Sequence, residues 1–161
     1  MSALLIRDAV WPGDREAAVS FIDGLQRYEH GVEPNRRIDA AVGAEYFDVL
    51  LAAVAGHGGI VRIAELDGRA IGWAVAWHDL DDMYVVAGER RFVYICELYV
   101  EEDARGAGVG RALIASCEDW ARAQGIRIVK IGVLADNKRA AAVYARAGYA
   151  PHATRLRKYL R

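Results

Sequence analysis

The chain has 161 residues, of which 54% are hydrophobic, and a formal net charge of −1. That length supports one domain with a substantial core, and the apolar content excludes a disordered chain. The near-zero charge leaves no global basic field for nucleic acid, and charges or glycines interrupt the longest apolar runs well short of a membrane span.

The first residues, Met1 to Asp8, lack the basic flank and the apolar length of a signal peptide. Cys96 and Cys117 are the two cysteines. They fall on apolar faces and read as buried free thiols in a reducing compartment, which points to a cytoplasmic protein. A nucleophilic Cys96 is disfavoured, because no histidine is near in sequence.

Ala3 to Asp8 reads as a first strand. Trp11-Pro12-Gly13 is a turn, and Asp14 is placed to cap a helix running to about His30, broken by Gly31 to Asn35. Asp39 is placed to cap a second helix, with Tyr46, Phe47, Leu50, Leu51 and Val54 inward, ended by Gly56-His57-Gly58-Gly59. Ile60 to Leu66 and Arg69 to Trp77 form a hairpin around Asp67-Gly68, with Ile71, Trp73, Val75 and Trp77 on one face. His78 to Arg91 is a polar loop carrying Asp79, Asp81 and Asp82.

Phe92 to Val100 is β-branched and aromatic on both faces, as a buried central strand is. A helix follows from about Val109 to Gln124, with Val109, Leu113, Cys117, Trp120 and Ala121 on one stripe. Arg127 to Val133 is a further strand, and the intervening helix makes the two strands parallel neighbours. A short helix spans Asn137 to Ala147 with Gly148 at its C′ position. The tail, Tyr149 to Arg161, reads as a last alternating strand, an exposed edge on which two copies could pair as a homodimer. The order of elements predicts a single α/β (α+β) domain over residues 1–161, with a mixed, mostly antiparallel sheet and helices on both faces.

Between the central strand and its helix lies Arg105-Gly106-Ala107-Gly108-Val109-Gly110-Arg111. Glycines there let the backbone approach a ligand, and the first amides of the helix lack internal partners at its positive end. Strand, glycine bend and helix start together form a cradle for an anion, most naturally a phosphate. A P-loop needs Gly-Lys-Ser/Thr, which is absent. The dinucleotide fingerprint fails too, since its third glycine falls on Arg111 or on Leu113.

The pattern present, Arg-x-x-Gly-x-Gly, resembles the acetyl-CoA pyrophosphate loop of the GCN5-related N-acetyltransferases (GNAT). Asn137, Ala141, Tyr144, Gly148 and Tyr149 match that family's Asn-x-x-x-Ala-x-x-Tyr-x-x-x-Gly-Tyr/Phe segment, in the family's order and at its usual separation. The resemblance implies the GNAT acyl-CoA N-acyltransferase fold. It also implies acetyl transfer from acetyl-CoA, with no metal, to a primary amine by direct attack in a ternary complex. It implies pairing of pantetheine with the main chain of Leu98, Tyr99 and Val100, and a diphosphate held by Arg105, Gly106, Ala107, Gly108, Val109, Gly110 and Arg111. Tyr144 would protonate the leaving thiolate, and an acidic residue on the central strand would take the amine proton.

Glu97 is one charged residue inside the run Phe92 to Val100. Burial raises a carboxyl's pKa, as a base near neutral pH needs; the alternative is a carboxylate paired with an arginine or facing solvent. Tyr144 is either that acid or a core tyrosine. Asn137 caps its helix, and either stops there or also touches the cofactor. Arg105 and Arg111 either pair with phosphates or are solvated. The acceptor expected is a small amine, polyamine-like or aminoglycoside-like. The alternatives are a protein N-terminus or lysine, or a non-catalytic acyl-CoA-binding module. Glu29, Glu33 and the acidic loop would draw a cation toward a cleft. Neither a metal, nor nucleic acid, nor a membrane is an expected partner.

Overall fold

Five apolar segments build one sheet: Leu4–Asp8 (β1), Ile60–Leu66 (β2), Arg69–Leu80 (β3), Arg91–Val100 (β4) and Val129–Ile131 (β5). This computed structural model describes residues 3–160, so Met1, Ser2 and Arg161, named above at the two ends, lie outside the described residues. The strands lie side by side in chain order. The first four are antiparallel, and β5 is parallel to β4. The helices are Arg15–Val32 (α1), Val42–Gly56 (α2), Val109–Ala123 (α3) and Lys138–Arg146 (α4). Among the described residues no helix is long and apolar enough to cross a membrane.

The sheet separates two cores. On one face α1 and α2 bring Ala18, Phe21, Ile22, Phe47 and Leu50 onto Trp73 and Val75. On the other, α3 brings Leu113, Ile114 and Cys117 onto Ala74, Ala76, Val93 and Ile95, with Val143 and Tyr144 of α4 at the margin. The β2–β3 turn has Asp67 at φ 50° and Gly68 at φ 79°, the left-handed pair that matches the twist of a two-residue hairpin.

Two bulges interrupt the alternation along the central strands. In β3, Ile71 is the extra residue between the pairs Glu65–Ala70 and Ala64–Gly72. It therefore packs on the α3 face, while Trp73, Val75 and Trp77 stay on the other; the expectation that all four share a face is corrected by this insertion. In β4, Cys96 is the extra residue between Ala76–Ile95 and Val75–Glu97.

Other boundaries differ for local reasons. α1 continues through Gly31 to Val32, and β3 runs on to Leu80. Asp39 accepts from the Ala41 amide at 3.1 Å, one turn ahead of α2. Asp14 makes no side-chain cap. Its carboxylate instead accepts two guanidinium bonds from Arg7, at 2.7 and 2.8 Å, and the Val10 amide at 2.7 Å, because a bidentate charged donor outcompetes a single helix amide. β5 has three residues rather than the seven expected, and among the described residues the tail forms no strand. Leu156 and Leu160 are 89% and 86% exposed. A three-residue edge offers too few ladder bonds to order a tail whose apolar side chains are separated by Arg155, Arg157 and Lys158, so the last strand expected to support pairing between copies is absent among the described residues.

Asp14 links β1 to α1, and its hydrogen bonds with Arg7 hold its carboxyl below the usual carboxylate range. A lowered folded-state pKa stabilises fully above the unfolded value, about 4, and the contribution disappears as pH falls through the folded one. Asp14→Ala should cost about 2–3 kcal/mol at pH 7 in urea unfolding. The gap to wild type should narrow below about pH 4; an undiminished gap at pH 2.5 would contradict this account.

Candidate functional site

β5 pairs with β4 only from Val93 to Ile95. β3, on the other side, remains paired with β4 as far as Val100. From Cys96 onward one edge of β4 has no strand beside it among the described residues. A cleft of about 420 Å³ opens there, with Leu98, Tyr99 and Val100 on one side and Gly132, Val133 and Leu134 on the other. Leu25, Tyr28 and Glu29 of α1, the α4 cap Asn137, and Ala140 and Tyr144 of α4 complete its walls.

The glycine segment forms one end. Gly106 and Gly108 have φ of 84° and 85°, values that cost an L-residue about 1–2 kcal/mol. A Cβ built at either meets nothing within 4 Å, so the space beside this backbone is open to a ligand. Gly108 directly precedes α3, and the amides of Val109, Gly110 and Arg111 are first-turn donors without helical acceptors. Arg105 braces the bend: its Nε donates to the Val100 carbonyl at 2.8 Å. Its guanidinium lies 5.6 Å from the Tyr28 ring and 5.5 Å from the Tyr99 ring. Arg111 lines the cleft, as do Arg139 and Arg146. The last two were not singled out from sequence, although their separation of seven positions puts them on one face of α4. A diphosphate fits these residues: open amides at a positive helix end, in a cleft lined by four arginines.

The residues expected to touch a cofactor are all brought to this cleft except Ala107. Asn137 caps α4, its Oδ1 accepting from the Ala140 amide at 3.0 Å. The same oxygen accepts from the Tyr28 hydroxyl at 3.2 Å, which ties α1 to α4 across the cleft. The Tyr144 ring rests 6.4 Å from that of Tyr149. Burial, helped by the negative charge of Glu29, pushes the Tyr144 phenol up to about 12. Burial also pushes up both cysteine thiols, which keeps them protonated.

Glu97 does not line the cleft directly. It is 8% exposed, and its Oε1 accepts from the Tyr46 hydroxyl of α2 at 3.0 Å. Burial raises it to about 7; the Tyr46 bond opposes that shift and the charge of Glu29 adds to it. Sequence reading missed the Tyr46 contact, because a tyrosine on an apolar stripe carries no sign of where its hydroxyl ends. Of the carboxylates expected to draw a cation, Glu29 lines the cleft but is itself ion-paired with Arg36 at 2.8 Å. Glu33 is paired with Arg157, and Asp81 with Lys130 at 2.5 Å. His78 stacks on Trp120 at 4.6 Å.

Asn137→Ala should lower stability by about 1 kcal/mol through the lost cap. The measurement is the urea midpoint at an unchanged denaturant slope; an unaltered midpoint would deny Asn137 its structural role.

A family model described as acetyltransferase (GNAT) family matches residues 23–149. Uncharacterized N-acetyltransferase MJ1207 of Methanocaldococcus jannaschii is 34% identical over 88 residues, 54% of this chain and 37% of that one. Mycothiol acetyltransferase of Streptomyces coelicolor is 35% identical over 94 residues, 58% of this chain and 28% of that one. The matches thus span about a third of the length of these curated relatives. Among solved structures, aminoglycoside N-acetyltransferase AAC(6')-Iy in complex with CoA is 25% identical with a TM-score of 0.65, over 100% of this chain and 96% of that one.

Proposed function

The chain belongs to the acetyltransferase (GNAT) family, and we propose that it transfers an acetyl group from acetyl-CoA to a primary amine of a small molecule, by direct attack in a ternary complex. The observation that carries this reading is the unpaired β4 edge ending in the glycine bend. It offers main-chain partners along the length of an extended thiol arm and unpartnered amides at its anionic end.

Three groups divide the chemistry. The first-turn amides of α3, with Arg111, Arg139 and Arg146 around them, bind the diphosphate side of the donor, whose thioester supplies the activated acyl group. Glu97, through a water, takes the proton that the amine loses as its nitrogen bonds to the acyl carbon. Tyr144 gives its proton to the sulfur as the carbon–sulfur bond breaks. Holding both reactants in one cleft supplies much of the rate.

The small-molecule acceptor is supported by the confined cleft, with the Glu29 carboxylate on its wall. One relative is named a mycothiol acetyltransferase and one structural neighbour an aminoglycoside N-acetyltransferase. Polyamine-like and aminoglycoside-like amines are the acceptor classes proposed, and their extra positive charge would share the Glu29 carboxylate with Arg36.

Thiol release from acetyl-CoA should appear with at least one member of a polyamine and aminosugar panel. Tyr144→Phe should lower kcat about 100-fold with the KM for acetyl-CoA little changed. Because the base is active when ionised, kcat/KM should rise through about pH 7 and level off above it, and Glu97→Gln should remove that limb. Full rates for both variants across the pH range would refute these roles. Peptide acetylation with an inactive small-amine panel would move the acceptor to the protein class.

A further inference from the structure

Tyr46 has no part in the chemistry assigned so far, yet it makes the one hydrogen bond to the Glu97 carboxylate among the described residues. The contact joins positions 51 apart, linking α2 to the bulged strand. The Tyr46 ring packs with the core under α1 and α2, which fixes where its hydroxyl ends. The bulge at Cys96 sets the other partner, since an extra residue re-aims the side chain that follows it.

The groups around Glu97 leave Tyr46 without a substitute. Glu29 faces it from α1, Tyr94 and Cys96 belong to its own strand, and Tyr144 faces it from α4. β3 places Val75 opposite it. Each titratable group in that set is anionic when ionised, and no arginine or lysine is paired with Glu97 among the described residues. The stabilisation that this site offers the charged carboxylate therefore comes from one phenolic hydroxyl.

We propose that Tyr46 is a positioning residue for acyl transfer: its hydroxyl holds Glu97 by Oε1, leaves Oε2 to accept the amine proton through water, and sets how readily that carboxylate ionises. This rests on the reading of Glu97 as the base. Tyr46 donates a hydrogen bond and keeps its proton, because burial and the adjacent carboxylate push its phenol far above the usual range. The bond favours the ionised form of Glu97, so removing it moves the ionisation to higher pH.

The test compares wild type, Tyr46→Phe and Glu97→Gln by two readouts: the pH profile of kcat/KM, and the titration of the Glu97 carboxyl carbon followed by NMR on carbon-13-labelled protein without substrate. Tyr46→Phe keeps the packed ring, so it should fold cooperatively, its urea midpoint falling by no more than the one hydrogen bond it loses. Its acidic limb and its Glu97 midpoint should both move up by about one pH unit, the equivalent of one hydrogen bond to a charged group. Activity below the limb then falls about tenfold and recovers toward the wild-type rate at high pH. In wild type the Tyr46 ring carbon bearing the hydroxyl should shift with the same midpoint as Glu97, a check that needs no variant. If Glu97→Gln loses the acidic limb while Tyr46→Phe leaves limb and midpoint in place, the proposal is overturned and the base assignment survives. If Glu97→Gln keeps the limb, the base assignment itself fails, whatever Tyr46 does.

Discussion

The structure turns on a strand that keeps one neighbour and loses the other. β4 is held along its whole length by β3, yet β5 leaves it after Ile95. A buried main-chain edge without partners is costly in water-poor surroundings, so such an edge either stays wet or takes up a ligand. Here it opens into the cleft and runs directly toward the glycine bend. The break in pairing thus creates the binding surface, and the continued pairing with β3 keeps that surface rigid.

The same strand separates two electrostatic environments. At its end lies a helix N-terminus with Arg111 in its first turn, and Arg105, Arg139 and Arg146 line the same cleft, all suited to phosphate charge. At its middle, the bulge brings Glu97 beneath α2, where burial holds its proton up to about neutral pH. An overall charge of −1 conceals this division, because function depends on where each sign is placed and what surrounds it. Tyr28 and Arg105 tie the cleft walls together: one bonds to Asn137, and the other bonds to Val100 and lies over Tyr28 and Tyr99.

Much of this was legible in the residues. Asp67-Gly68 specified the hairpin, the stripe from Val109 to Ala121 specified α3, and Asn137 and Gly148 bracketed α4, because each depends on local chemistry. The glycine bend and eleven of the twelve residues expected to touch a cofactor came together, Ala107 alone lying off the cleft. Tertiary competition overrode the rest. Asp14 was drawn from its cap by Arg7, and a bulge turned Ile71 to the opposite face. β5 and the tail fell short because strand patterning says nothing of whether a partner edge is long enough. Glu97 stood out from its neighbours, but its hydroxyl partner on a helix 51 positions away had no local signature.

The central claim is that main-chain groups along β4 and at the start of α3 grip a thioester carrier by its diphosphate as well as its arm. The direct measurement is calorimetric titration of the protein with acetyl-CoA and, in parallel, with S-acetyl-pantetheine, which shares the arm but has no diphosphate. The account predicts that acetyl-CoA binds at least about 100-fold more tightly, a difference of about 2.7 kcal/mol, and that the advantage shrinks as salt is added. Equal affinities for the two compounds, or no binding of acetyl-CoA at millimolar concentration, would contradict it.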